Sequence, residues 1–217
     1  KIKEIQKKNK TPILVGGTGL YFKSLINGLV KMPNIPLTVR SQIRLLQKKI
    51  GQNFFYKKLL KLDPLIENRI NPNDVQRTIR AYEIKKYTKI SMTDWFKNTK
   101  IIFSKDSFIK IYIDFPRTEL IQRINKRTQK MLDQGAINEV RRFSKLKIKK
   151  DNSATKIIGI KEILKLLQGE SSLSEVKDQI SIKTRQYAKR QSTWARGQMT
   201  DWQKIEPQNL KLVLKKF

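Results

Sequence analysis

The apolar positions along this chain change period several times, and each change marks a different kind of element. Pro12-Ile13-Leu14-Val15 is a short continuous apolar run, which predicts a buried parallel strand. It feeds Gly16-Gly17-Thr18-Gly19, a tight glycine turn, and then a helix from about Leu20 to Asn27 that Gly28 ends. A strand passing into a helix through glycines is an α/β pattern. Pro33 and Pro36 bracket a connection where the chain can leave the sheet.

From Leu37 to about Phe96 the repeat becomes helical, with Val39, Ile43 and Leu46 and later Ile66, Ile70, Ile79 and Ile84 marking apolar faces. Within it, Asn71-Pro72-Asn73-Asp74 reads as a turn and N-cap for a helix over Val75 to Lys86, because Asn and Asp side chains accept bonds from the free amides of a helix start. The helical signal stops around Ser104 to Ser107, and Phe108 to Phe115, rich in β-branched and aromatic residues and closed by Pro116, predicts a strand rejoining the first sheet. Helices follow over Arg117 to Leu132, Ala136 to Leu146, Thr155 to Gln168 and Leu173 to Gly197, with a loop over Lys147 to Asp151. Trp202 to Ile205 adds an edge strand before a last short helix. The expected organisation is an α/β core over 1–34 and 107–217, interrupted by an all-helical insertion over 35–106.

Composition narrows the chemistry. Of 217 residues 38% are apolar, enough for a globular core. There is no Cys and no His, which excludes disulfides, thiolate chemistry, His-ligated zinc and imidazole catalysis within these residues. Proton transfer here falls to carboxylates, Lys, Tyr or water. Forty-eight basic residues against 18 acidic ones give a net charge of +30, a field that attracts a polyanion. RNA, DNA and an anionic membrane surface all fit it, and so does a coding bias toward lysine, since the lysines are spread along the whole chain. No apolar run approaches the ~18 residues of a transmembrane helix, and Lys1 to Lys10 is too polar for a signal peptide. A soluble, cytoplasmic protein is expected. Lys1 to Asn9 reads as the end of a helix leading into a strand, and the first residue is not Met, so a preceding segment is expected too.

Four stretches carry candidate chemistry. Gly16, Gly17 and Gly19 open a helix whose free amides favour an anion, and Thr18 adds a hydroxyl; the turn lacks the Lys of a Walker loop and the third glycine of a dinucleotide fingerprint. The same glycines equally serve close packing of helix on sheet. In Gln76-Arg77-Thr78-Ile79-Arg80, Arg77 and Arg80 share a helix face and Gln76 lies one turn behind Arg80, so two guanidiniums and an amide can hold a phosphate and a base edge; a solvated basic face is the plainer account. Lys156 to Lys161 has Gly159 inside a helical pattern, at a cost of roughly 1 kcal/mol against Ala, which predicts close approach of RNA or a neighbouring helix. Over Thr184 to Arg196, Arg185, Lys189 and Arg196 lie on one stripe and Tyr187 and Trp194 on another, a helix that presses aromatics into protein and cations onto a backbone, or an ordinary amphipathic core helix.

Taken in order, these segments resemble the bacterial tRNA dimethylallyltransferases, also called isopentenyl-diphosphate:tRNA transferases. The matching pieces are Ile13 to Phe22, Pro72 to Arg77 with Arg80-Ala81, Met131-Leu132 through Gly135 to Glu139-Val140, Ile158-Gly159 with Lys161-Glu162, and Thr184 to Gln191 with Thr193-Trp194. The resemblance implies an incomplete P-loop-like parallel sheet core with an all-helical insertion domain. It also implies transfer of a dimethylallyl group from dimethylallyl diphosphate to N6 of the adenine 3′ to the anticodon (tRNA position 37), aided by Mg2+.

By residue, the resemblance makes Thr18 an active-site threonine near the acceptor adenine, sets Gly16, Gly17 and Gly19 beside the diphosphate, and has Arg127, ahead of the Met-Leu pair, face that diphosphate. It assigns tRNA contacts to Arg40, to Gln76, Arg77, Thr78, Ile79 and Arg80, to Lys156, Gly159 and Lys161, and to Thr184, Arg185, Gln186, Tyr187, Lys189, Arg190 and Gln191. Val75, Lys156 and Ile160 depart from the family's usual Pro, Gln and Tyr, which bears on RNA preference more than on chemistry. No residue is expected as a direct metal ligand. The partners implied are a tRNA anticodon stem-loop and the prenyl donor, with the protein a monomer. The family's Walker-type loop and its general-base aspartate precede the Gly-Gly-Thr segment, so these residues are expected to bind tRNA without catalysing. A non-enzymatic RNA clamp, or a piece of a P-loop small-molecule kinase, are the other readings.

Overall fold

The computed structural model describes residues 1–146, 148 and 152–215. Its elements are α1 (Ile2–Gln6), α2 (Gly19–Asn27), α3 (Leu37–Leu62), α4 (Val75–Thr88), α5 (Met92–Lys97), β1 (Ile111–Ile113), α6 (Arg117–Asp133), α7 (Ala136–Ser144), α8 (Ile160–Leu167), α9 (Leu173–Gln198), β2 (Gln203–Ile205) and α10 (Leu210–Leu214). The chain is thus mostly helical with a small parallel sheet, and it divides into two compact units, Leu20–Phe108 and Lys1–Gly19 with Ile109–Phe217. No helix among the described residues is long and apolar enough to cross a membrane.

The regular elements of the unit Leu20–Phe108 are all helical, as the 3.6-residue repeat predicts. α3 packs along α4 around a core of Ile43, Phe55, Leu59, Ile66, Ala81, Tyr82, Ile84 and Met92. The Phe55 and Tyr82 rings meet at 4.9 Å, and the buried Tyr56 hydroxyl donates to the Ile70 carbonyl at 3.0 Å. Gly51, at φ 75 and ψ 167, kinks α3 and divides its residues into two helical runs. The α4 start is as expected: the Asp74 carboxylate accepts the Arg77 amide at 3.0 Å, and the Asn71 side chain accepts the Asn73 amide at 2.9 Å. Gly28 ends α2 at φ 80, where an added Cβ would lie 2.4 Å from the Lys100 carbonyl oxygen, so both conformation and space require glycine.

In the other unit, β1 and β2 pair in parallel with Ile111 opposite Gln203 and Ile113 opposite Ile205. The expected strand over Phe108 to Phe115 is shorter than its sequence suggested because pairing extends only as far as the three residues of β2. Helices α6 to α9 pack around Leu132, Ala136, Val140, Ile160, Ile163, Val176 and Ile180. α9 opens with a capping box: the Ser172 hydroxyl accepts the Glu175 amide at 3.3 Å, and the Glu175 carboxylate accepts the Ser172 amide at 2.8 Å.

Two expectations are overturned here. Pro12 to Val15 is not a strand: it has no pairing partner among the described residues, and Ile13 and Val15 are 70% and 91% exposed. A strand is defined by the ladder beside it, and apolar character alone cannot supply one. Gly159 is not inside a helix. It sits at φ 105, ahead of α8 and after a 3-10 turn over Ser153–Lys156, a backbone conformation that no right-handed helix contains. The loop expected over 147–151 lies largely outside the described residues.

Candidate anion and RNA-binding surfaces

In the unit that contains both termini, the glycine turn rests on α9. The Gln191 side-chain amide donates to the Gly17 carbonyl at 2.8 Å, joining residues 174 apart in sequence. A Cβ on Gly19 would fall 1.9 Å from Cζ3 of Trp194, so this glycine is required by the indole ring against it. Thr18, between the two anchored glycines, is exposed, and α2 begins one residue later. Two candidate stretches far apart in the chain therefore meet: the glycine turn with its exposed hydroxyl rests on the side of α9 that carries Tyr187, Gln191 and Trp194, while Arg185 and Lys189 lie on the opposite stripe of the helix.

Along α9 the Thr184 hydroxyl bonds back to the Ile180 carbonyl at 2.7 Å, which occupies its proton within the helix. Gln186, Lys189 and Arg190 are exposed and Arg185 is half-buried. The two aromatics differ from the expected pairing. Trp194 is half-buried against Gly19, whereas Tyr187 is 43% exposed with the Arg190 guanidinium 5.8 Å from its ring centre, an open face on which a base can stack.

Lys156 and Lys161 are exposed on either side of the buried Gly159. An added Cβ at Gly159 would meet nothing closer than 3.7 Å, so no neighbouring helix approaches closely enough to require the glycine, and its φ of 105 does. Its amide donates to the Glu162 carboxylate at 2.8 Å, and Lys183 of α9 forms an ion pair with the same carboxylate. Burial by itself raises the Glu162 carboxyl, but the bonds from Lys183 and from backbone amides outweigh it and hold the group below the usual carboxylate range. On α6, Arg127 is exposed and has no ion-pair partner among the described residues, while Arg123 is tied to Glu119 at 3.0 Å and stacked 4.7 Å from the Phe115 ring centre.

In the helical unit, the Gln76 to Arg80 stretch splits by face. Thr78 is fully buried, donating to the Asp74 carbonyl at 2.7 Å and accepting from Gln52 at 3.2 Å, and Ile79 packs on the core. Those two side chains are structural, and the surface belongs to Gln76, Arg77 and Arg80. Arg77 pairs with Asp74 at 3.2 Å. Arg80 turns to Glu83, 3.4 Å away, and Arg40 and Arg44 of α3 approach the same carboxylate at 3.7 and 3.8 Å. Glu83 was not singled out from sequence. Its signal was a carboxylate among core positions, between Tyr82 and Ile84 and three residues after Arg80.

No group of three or more Asp or Glu side chains among the described residues converges to hold a metal, and the chain has no His or Cys.

The chain is mostly helical with a small parallel sheet, and its hydroxyl-bearing glycine turn rests on a long helix rich in Arg and Lys. Residues 1–198 match the family model described as IPP transferase, and the chain belongs to that family. Among curated relatives, the tRNA dimethylallyltransferase of Pelagibacter ubique is 60% identical over 217 residues, covering 100% of this chain and 69% of its own. That of Rickettsia massiliae is 43% identical over 202 residues, covering 93% of this chain and 56% of its own. Among solved structures, a full-length tRNA isopentenylpyrophosphate transferase from Bacillus halodurans is 30% identical with a TM-score of 0.58, covering 94% of this chain and 63% of that one. A eukaryotic dimethylallyltransferase acting on tRNA is 28% identical with a TM-score of 0.73, covering 94% and 53%. The chain thus spans 56–69% of these relatives and 53–63% of these structures.

Proposed function

We propose that this chain carries the acceptor-RNA side of a tRNA dimethylallyltransferase, an enzyme that moves a dimethylallyl group from its diphosphate to N6 of adenine 37, next to the anticodon. The observation that carries the reading is the Gln191 to Gly17 bond, which fixes the Thr18 turn on α9, on the side of the helix that presents Tyr187 and Trp194. In the reaction the amine nitrogen attacks the allylic C1, the C1–O bond breaks and diphosphate leaves, while the N6 proton passes to a base. Thr18 and the Gly16–Gly19 turn face the acceptor and the departing anion, Arg127 serves the diphosphate, and Arg185, Lys189 and Arg190 hold the anticodon-loop backbone. Tyr187 offers its ring to an unstacked base.

Neither the 16–19 turn nor the 184–191 stretch contains a carboxylate, so these residues position the acceptor and leave the proton to a group supplied from outside them. Magnesium is taken to travel with the donor's diphosphate and to neutralise its charge as it departs. The same reading takes the β1–β2 ladder as part of a larger P-loop-like sheet, with 35–106 inserted into a core of 1–34 and 107–217, and the protein as a cytoplasmic monomer.

The test is binding of the chain to an unmodified anticodon stem-loop and to one with adenine 37 replaced, at two salt concentrations, with prenyl transfer assayed alongside. Preference for the adenine that survives higher salt, without turnover, is the expected result. Equal and salt-sensitive binding to both RNAs overturns the acceptor assignment, and turnover overturns the assignment of the base to a group outside these residues.

A further inference from the structure

The helical unit holds a charge arrangement that packing does not require. Glu83 is 1% exposed, and around its carboxylate stand the guanidiniums of Arg40, Arg44 and Arg80 at 3.4–3.8 Å. One arginine in bidentate geometry would neutralise a buried carboxylate. Here three share it, none bidentate, and they leave the four groups with a net charge of +2. The Nε of Arg40 and Oε1 of Glu83 are both buried without a hydrogen bond, so the contacts are loose attractions that align the guanidiniums without saturating them. All three arginine side chains keep an outward portion in solvent, Arg44 being 55% exposed. Three like charges held this close repel one another, and a second anion on the solvent side relieves that repulsion.

We propose that Arg40, Arg44 and Arg80 form one site for a backbone phosphate of the bound RNA, and that Glu83 is its positioning residue, holding the three guanidiniums toward a common point. The site deepens the tRNA-binding reading and rests on it for the identity of the RNA. It adds Arg44 and Glu83 to the residues that the sequence comparison suggested, and it gives Arg40 and Arg80, from different helices, a single ligand. Two carboxylate-facing arginines on α3, one turn apart, and one on α4 make a rigid platform, because α3 and α4 are the main packed pair of this unit.

Glu83→Gln gives the two accounts of this residue opposite signs. It removes one negative charge near the RNA, so a field effect alone makes binding tighter. Loss of positioning makes it weaker. The experiment measures fluorescence anisotropy of the full 217-residue chain with the anticodon stem-loop and with its adenine-replaced variant, from about 50 to 200 mM salt. Variants are E83Q, R44A and R44K, with thermal melts as a folding control.

E83Q is expected to weaken binding, and R44A to weaken it by about three- to tenfold at low salt while lowering the log–log salt slope by about 0.7–0.9. R44K is expected to keep most of the slope and recover only part of the affinity, because the ammonium replaces the charge and not the planar fork. The loss is expected to be equal on both RNAs, since phosphate contacts carry no base identity. Tighter binding by E83Q overturns the positioning role. An R44A chain that binds with wild-type affinity and slope overturns the site, even if adenine preference is intact. Loss of adenine preference in the wild type with R44A still weakened sinks the acceptor assignment and leaves the phosphate site standing, and absence of RNA binding overturns both. Should E83Q fail to fold, R44A and R44K at the exposed rim decide the question.

Discussion

At the scale of single residues, two glycines that look alike in sequence are required for different reasons, and substitution separates them. Gly19→Ala drives a methyl group to within 1.9 Å of the Trp194 ring. The ring must move, and a loss of about 1–3 kcal/mol, typical of overpacking, is expected in chemical denaturation. The accompanying shift of the 16–19 turn is expected to reduce adenine preference in RNA binding. Gly159→Ala meets no atom closer than 3.7 Å, so its cost is conformational, about 1–3 kcal/mol for a residue held at φ 105. Mutating Ile180 or Met131, its nearest neighbours, to smaller residues will not rescue it, whereas Trp194→Leu is expected to recover part of the Gly19→Ala loss. Sequence reading found both glycines but placed Gly159 inside a helix, because the sign of φ is set by the path of the chain into α8 and leaves no mark in composition. Glu83 was missed for a related reason: a carboxylate declares its burial only once α3 has laid Arg40 and Arg44 beside it.

At the scale of elements, the junction of α8 and α9 is held by a titratable group. Glu162 accepts the Gly159 amide and pairs with Lys183, and its carboxyl is held below the usual range. A carboxyl depressed on folding stabilises above its unfolded value, near 4.3, and loses that contribution as pH falls through the lower folded value. Stability is therefore expected to be flat from pH 7 to about 5 and to fall below about 4. In Glu162→Gln the acid-side slope is reduced, which a series of thermal melts from pH 3 to 7 would detect; an unchanged slope would locate the acid sensitivity elsewhere. On α4, Asp74→Ala removes the acceptor for the Arg77 amide and should cost about 1 kcal/mol, read by denaturant titration.

The elements that sequence described well are those whose causes are local. Asn71 to Asp74 contains its own turn and cap, and the α9 start carries Ser172 and Glu175 at the right spacing. Pro12 to Val15 was misjudged because a strand has a non-local cause. β1 came out shorter than its apolar run for the same reason, its length being set by Gln203–Ile205.

At the scale of the whole molecule, a net charge of +30 and an exposed apolar run at Ile13 to Val15 act in opposite directions on self-association. Charge keeps copies apart at low salt, and screening removes that protection as the Debye length shrinks from about 30 Å at 0.01 M to about 8 Å at 0.15 M. Light scattering is expected to rise with salt for the wild type and to rise less for Val15→Lys, which interrupts the apolar run without touching a packed residue. Equal scattering from both would assign self-association to another surface.

The two units also differ in when the chain can complete them. Leu20–Phe108 is one uninterrupted stretch, so its α3 and α4 meet soon after both have left the ribosome. The sheet is different: Lys110 must wait for Asp201, 91 residues later, and the Gly17 carbonyl waits 174 residues for Gln191. At about 5–20 residues per second of synthesis, the first of these delays is roughly 5–18 s. Throughout that interval a finished helical unit precedes an unfinished one, and the Thr18 turn acquires its support only once Gln191 has been made.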